Sequence, residues 1–144
     1  LIKDKIRIIP NGEIQICDYF NGNLVLVPNL TYEKVGKLDN IFSHSKADFD
    51  YGLRARKKGI FSYITTETVG ICERHDELPV WCNRKYHFFK RAKAFYSPLG
   101  IQPLKNFIFE KRHFGFLTAL FHLFTIHLRL LFPYLWVILK KDSI

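Results

Sequence analysis

The chain has 144 residues, room for one domain with one modest core. Apolar residues make up 48% of it, which excludes a disordered polymer. Its 22 Lys and Arg against 13 Asp and Glu give a net charge of +9, which suits an anionic partner (nucleic acid, phosphate groups or an anionic membrane face) without choosing among them.

Cys17, Cys72 and Cys82 form an odd set with no CxxC, which argues against a disulfide framework and for a reducing, cytosolic setting. Fourteen Phe stand beside no Met, and the chain opens at Leu1 with no signal-peptide pattern, so the expectation is a fragment or a processed product.

Ile6 and Ile8, then Ile14 and Ile16, alternate with polar positions on either side of Pro10-Asn11-Gly12-Glu13. Asn-Gly tolerates positive φ, so residues 1–20 read as one hairpin. Asn21-Gly22-Asn23 is either a plain turn or a loop whose backbone approaches a ligand. Leu24–Val27 is a short apolar run suited to a buried strand. Pro28 and Asn29 start a helix over Leu30–Val35 that Gly36 stops, and Leu38, Ile41 and Phe42 pack the next loop.

Ser45–Gly59 carries two acids, an arginine, a basic turn and a final glycine. Ser45 and Asp48 have capping-box spacing, and Phe49 and Leu53 define a buried stripe. Gly59 suits the left-handed residue past the helix end. At about 100° per residue, Asp48 and Asp50 point roughly 200° apart and cannot both face one site if both lie within the helix. Asp50 precedes Arg54 by four, the favoured order for a helical ion pair, which leaves Asp48 as the freer carboxylate, either a cap or a reacting group.

Ile60–Thr65 and Thr68–Cys72 read as two strands, and Trp81–Tyr96 as a basic helix broken by Ser97-Pro98-Leu99-Gly100. Pro103 begins a further segment. Phe114–Leu139 is dominated by large apolar residues, but Arg129 near its middle is costly in hydrocarbon. His122, His127 and Arg129 suggest one polar edge, and Lys111, Arg112, Lys140 and Lys141 flank the segment, so the expectation is an amphipathic helix lying in a membrane interface. The alternatives are a buried helix and a true span.

Cys72, His75, Cys82 and His87 match no common zinc spacing, and no metal ligands are assigned. The basic, aromatic Arg84–Tyr96 could grip phosphates, whether of nucleic acid, lipid or a sugar phosphate. No glycine-rich phosphate loop is present in the sequence.

One run orders these pieces: Asn21-Gly22-Asn23 through Pro28, Glu33–Asp39, His44, Asp48-Phe49-Asp50-Tyr51-Gly52-Leu53-Arg54-Ala55 through Gly59, and Val69–Arg74. It resembles the C-terminal half of family-2 glycosyltransferases of the GT-A fold over roughly residues 15–115, the Asp-x-Asp-Tyr-Gly-Leu-Arg-Ala stretch being the specific part. The resemblance implies an α/β fold: the C-terminal part of a GT-A (Rossmann-like) domain, with a hairpin and a hydrophobic C-terminal helix. Residues 1–113 would be the acceptor-side half, the nucleotide-binding half missing, and 114–144 the possible membrane-associated helix.

By the family register Asp48 is the general base, six residues before the helix arginine, with Ala47 where Glu is common. Asn21, Gly22, Asn23, His44, Asp50 and Arg54 are implied around the substrate. The implied reaction is inverting transfer of a sugar from a nucleotide-sugar donor to a saccharide or lipid-linked acceptor, in cell-surface polysaccharide or glycolipid synthesis. A divalent metal (Mg or Mn) is implied for the full-length family, with its ligands outside this chain, and the isolated piece is expected to be inactive. The implied place is cytoplasmic, peripheral at the inner face of the membrane, with nucleic acid disfavoured as partner. The competing reading is a non-catalytic basic module that binds anionic membrane or nucleic acid.

Overall fold

A computed structural model describes residues 2–3, 6–18, 20–42, 46–71 and 78–134. The chain divides into two compact units, Leu1–Glu73 and Arg74–Ile144. This boundary lies well before residue 114, and residues 116–131 pack on the helix that precedes them.

In the first unit, β1 (Ile2–Lys3) pairs antiparallel with β2 (Ile6–Arg7). β3 (Gln15–Cys17) pairs antiparallel with β4 (Ser62–Ile64), setting Gln15 against Ile64, Ile16 against Tyr63 and Cys17 against Ser62. The Asn11-Gly12 turn does form: Gly12 has φ 88, and Asn11 Oδ1 accepts from Glu13 N–H at 3.1 Å and from Gln15 Nε2 at 2.9 Å. The strand after it, however, pairs with β4 and not with β2, so the single hairpin over 1–20 is replaced by two short ladders. Gly12 N–H donates to Thr66 O at 3.0 Å, which extends the same association beyond β4.

α1 (Asn29–Val35) ends at Gly36, φ 83, as its sequence indicates. α2 (Ala47–Lys57) ends in a full glycine cap. Gly59, φ 75, donates to Arg56 O at 2.9 Å, and Ile60 N–H donates to Ala55 O at 3.0 Å. These two bonds satisfy carbonyls that the helix end would otherwise leave open. Ile60 and Phe20 then pack on the small core of Val35, Tyr51 and Ala55.

Leu24–Val27 is irregular and exposed, Leu26 at 92%, so no buried strand forms there. No ladder partner lies beside it among the described residues. Residues 68–71 likewise carry no strand, and Cys72 lies outside the described residues. Phe42 is buried as expected, whereas Leu38 and Ile41 stay partly exposed, at 52% and 37%.

In the second unit the expected helix over Trp81–Tyr96 is shorter. A single 3-10 turn spans Val80–Cys82, and α3 runs Phe88–Tyr96, with His87 Nδ1 accepting from Lys90 N–H at its start. α4 (Pro103–Phe114) begins at its proline, whose missing N–H and fixed φ suit a first helical turn. α5 (Phe116–Leu131) follows directly across Gly115, φ 96. Phe95, fully buried, joins Ile126 and Leu130 in the core, with Trp81, Ala92, Ile101 and Leu123 around them. Burying one such phenylalanine contributes about 1.5–3 kcal/mol. Arg91 donates to Leu130 O, supplying a cation to the open carbonyl end of α5.

The described residues are therefore mixed helical, with five α-helices and two two-stranded antiparallel ladders. No helix among them is long and apolar enough to cross a membrane. α5 is shorter than the expected 114–139 segment, and residues 135–144 lie outside the described set. The single polar edge also divides. His122 and Arg129, seven apart, share a flank, while His127 turns to the other side. There His127 Nδ1 lies 2.7 Å from Leu123 O and Nε2 3.2 Å from Tyr96 Oη, with the ring edge-on to Phe95.

Candidate functional site

The first unit brings the Asn21–Asn23 loop onto the start of α2. Gly22 N–H donates to Asp48 Oδ2 at 2.9 Å, across 26 residues of sequence. Asp48 Oδ1 accepts from Phe49 N–H at 2.9 Å. The half-buried carboxylate thus has one backbone donor on each oxygen. Each carboxylate oxygen offers about two acceptor positions, so both oxygens retain capacity for a further donor. Asp48, the freer acid by helix geometry, is therefore tied to a second segment, the Asn21–Asn23 loop.

The start of α2 is made differently from a capping box. Ser45 lies outside the described residues, and the residue at the cap is Lys46, in the left-handed region at φ 74, with no side-chain cap. A non-glycine residue there costs about 1–2 kcal/mol. Asp50 N–H closes the first turn onto Lys46 O at 2.7 Å.

Two residues that the sequence reading passed over position this contact. Gly52 sits in the middle of α2, and a Cβ there would stand 2.8 Å from Phe20 Cε1. The missing side chain lets the Phe20 ring lie against the helix backbone. From Gly52 back to Asp48 is one turn, about 6 Å along the axis, and from Phe20 to Gly22 is two residues, at most about 7 Å. The loop therefore runs along α2 at a length that carries Gly22 to Asp48. A glycine inside an otherwise helical pattern was the available signal. Gly22 is itself close to Asp48: a Cβ would stand 3.3 Å from Asp48 Cβ. Asn21 Oδ1 accepts from Asn23 N–H at 3.2 Å, which folds the loop on itself.

Asp50 and Arg54 do more than stabilise their own helix. Asp50 is fully buried at 0% exposure, and Arg54 Nε meets its Oδ2 at 2.8 Å. The rest of the guanidinium reaches α1, donating to Val35 O at 2.8 Å and Lys37 O at 2.9 Å. Lys58 Nζ donates to Lys34 O. Arg54 of α2 and Lys58 at its C-cap thus both serve the carbonyl end of α1, where backbone acceptors lack helical partners. The implied substrate contact at Asp50 is not what this geometry offers, since its side chain exposes no surface. Arg54 keeps an accessible edge and lines a shallow depression of ≈ 340 Å³ with Lys37, Leu38, Asp39 and Asn40. Asp48 does not line it. Arg56 pairs with Asp18, just past β3, and fastens the same helix to that strand.

Of the other implied residues, His44 lies outside the described set, as do Cys72 and His75. Cys82 Sγ donates to Pro79 O at 3.4 Å, and His87 caps α3. Among the described residues no group of three or more His, Cys, Asp or Glu could hold a metal ion. No family model matches this chain, and neither curated protein sequences nor solved structures give a match.

Proposed function

We propose that this chain supplies the acceptor side and the catalytic base of an inverting glycosyltransferase of the GT-A type. Its donor would be a nucleotide sugar, its acceptor a hydroxyl of a saccharide or lipid-linked glycan, and its place the cytoplasmic face of a membrane. One observation carries the reading: Asp48 is fixed at the mouth of α2 by a backbone amide of the Asn21–Asn23 loop and by the next amide of its own helix, each oxygen keeping room for a further donor. A sugar hydroxyl is a poor nucleophile at neutral pH, and a fixed carboxylate suits its deprotonation.

In the proposed step the acceptor O–H donates to an Asp48 oxygen. As that hydroxyl oxygen attacks the anomeric carbon, its proton passes to Asp48. The bond from the anomeric carbon to the donor phosphate breaks, the nucleoside diphosphate leaves with its electron pair, and the configuration inverts. Asp50 and Arg54 act on this step only by holding α2 to α1.

In the resemblance the nucleotide-binding half precedes these residues, so the test uses the whole polypeptide that contains them, with a panel of labelled nucleotide sugars. Asp48→Asn is expected to lower transfer by about 10²–10⁴-fold with an unchanged circular-dichroism spectrum. Near-normal turnover would remove Asp48 from the base role. Asp50→Asn is expected to lower stability, and a stable Asp50→Asn protein without turnover would exchange the two assignments.

A further inference from the structure

Excess positive charge and a continuous exposed apolar helix face meet in the second unit. Residues 1–73 carry ten Lys and Arg against nine acids, whereas residues 78–134 carry nine against one, Glu110. The demand for an anionic partner therefore sits with the second unit, apart from the Asp48 site.

α5 has two apolar faces. At about 100° per residue, Ala119, Leu123, Ile126 and Leu130 fall within about 60° of one another and form the packed face. Leu117, Leu120, Phe121, Phe124, Leu128 and Leu131 fill an arc of about 100° on the opposite side, and all six are exposed. Thr118, His122, Thr125 and Arg129 run along one flank between the two faces. Cations stand near both ends of α5. Lys111 and Arg112 close α4 just before Gly115, and Arg84 rests 4.6 Å from the centre of the Tyr134 ring, just past the end of α5.

We propose that this outer face of α5, with the cations near the two ends of the helix, docks the chain on a bilayer that carries anionic lipids. The inference rests on the membrane-peripheral part of the reading above and not on the chemistry of Asp48. Sixteen residues of α5 make about 24 Å, short of the roughly 30 Å hydrocarbon core, and the polar flank would be stranded in it. Lying in the interface plane lets the leucines and phenylalanines enter the acyl boundary while the flank stays at headgroup level. A second copy is the weaker occupant, since pairing would bring two strongly cationic units together. Nucleic acid would meet the cations but leave the leucines wet, because an aliphatic side chain offers a base neither a charge nor a ring to stack on.

The test sediments the full chain with phosphatidylcholine vesicles, alone or with one quarter phosphatidylglycerol. Binding is expected to the anionic vesicles and to be at least tenfold weaker to the neutral ones. Phe121→Asp/Phe124→Asp, at positions 64% and 62% exposed, should fold normally and lose vesicle binding. Lys111→Gln/Arg112→Gln should weaken binding to anionic vesicles about tenfold or more. Leu99→Asp, at a position 82% exposed but on a loop, should leave binding unchanged. The proposal is overturned by absent vesicle binding, by binding that survives the double Phe replacement, or by equal loss in Leu99→Asp. It is also overturned by a concentration-dependent dimer that Phe121→Asp/Phe124→Asp dissolves without any vesicle binding, or by oligonucleotide binding in place of vesicle binding. Asp48→Asn should bind vesicles normally, so a failure of the sugar-transfer reading would leave this result standing.

Discussion

Replacing Gly52 by Ala sets two effects of opposite sign against each other. In a helix interior, alanine is favoured over glycine by about 0.8–1.0 kcal/mol. The new methyl, however, would stand 2.8 Å from Phe20 Cε1 and 3.2 Å from Cδ1, well inside ordinary carbon contact. Forcing extra volume into a packed site typically costs about 1–3 kcal/mol. Phe20 is only partly buried and its ring can give, so the net expectation is a loss of about 0–2 kcal/mol. The ring moves outward and takes the Asn21–Asn23 loop with it. Urea unfolding measures the stability, and amide hydrogen exchange at Gly22 measures the loop, because that N–H is protected by Asp48. Gly22 exchange should rise more than the global loss of stability accounts for. In a Phe20→Leu background the obstruction is removed, and Gly52→Ala should become stabilising by up to about 1 kcal/mol. A wild-type-background Gly52→Ala that stabilises by the full propensity difference, with Gly22 exchange unchanged, would refute the idea that the ring on the helix backbone positions the loop.

Arg54→Ala leaves the buried Asp50 carboxylate without its guanidinium and uncovers two carbonyls, so a loss near the lower end of about 3–5 kcal/mol is expected by urea unfolding, since water can partly reach the gap. Arg54→Lys keeps the charge but not the three-pronged geometry and should cost about 1–2 kcal/mol; equal effects of the two replacements would show that charge alone matters. Burial pushes the Cys17 thiol above its ordinary value of 9.0. Below that value both states are protonated and the full stability is present; as pH rises past it the unfolded thiol ionises first, and stability falls until the folded thiol also ionises. Cys17→Ala should remove this alkaline slope in pH-dependent unfolding, and an unchanged slope would assign it to other groups.

The features legible in the sequence are those that a few neighbouring residues settle. Gly36 and Gly59 end their helices because only glycine takes the left-handed turn without a steric penalty, and Pro103 opens α4 because its ring already has the helical φ. The Asp50–Arg54 pair follows from a spacing of four on one helix face. The opposition of Asp48 and Asp50 was equally local: one ends at the mouth of α2 and the other entirely buried.

What only the tertiary structure decided is which of these pieces meet. β3 has alternation suited to pairing with β2, yet it pairs with β4 some 47 residues away, because alternation fixes which face is apolar and not which edge is met. Leu24–Val27 is apolar enough for a strand but remains exposed beside the loop that reaches Asp48. Arg54 reads as one half of a helical pair, and only in the fold does it also carry the carbonyl end of α1. α5 reads as a single apolar segment, and packing alone divides it into one face covered by α3 and α4 and another left outward. Composition sets how much apolar surface a chain must place, while the contacts among distant segments decide which part of that surface is covered and which carboxylate stays partly exposed.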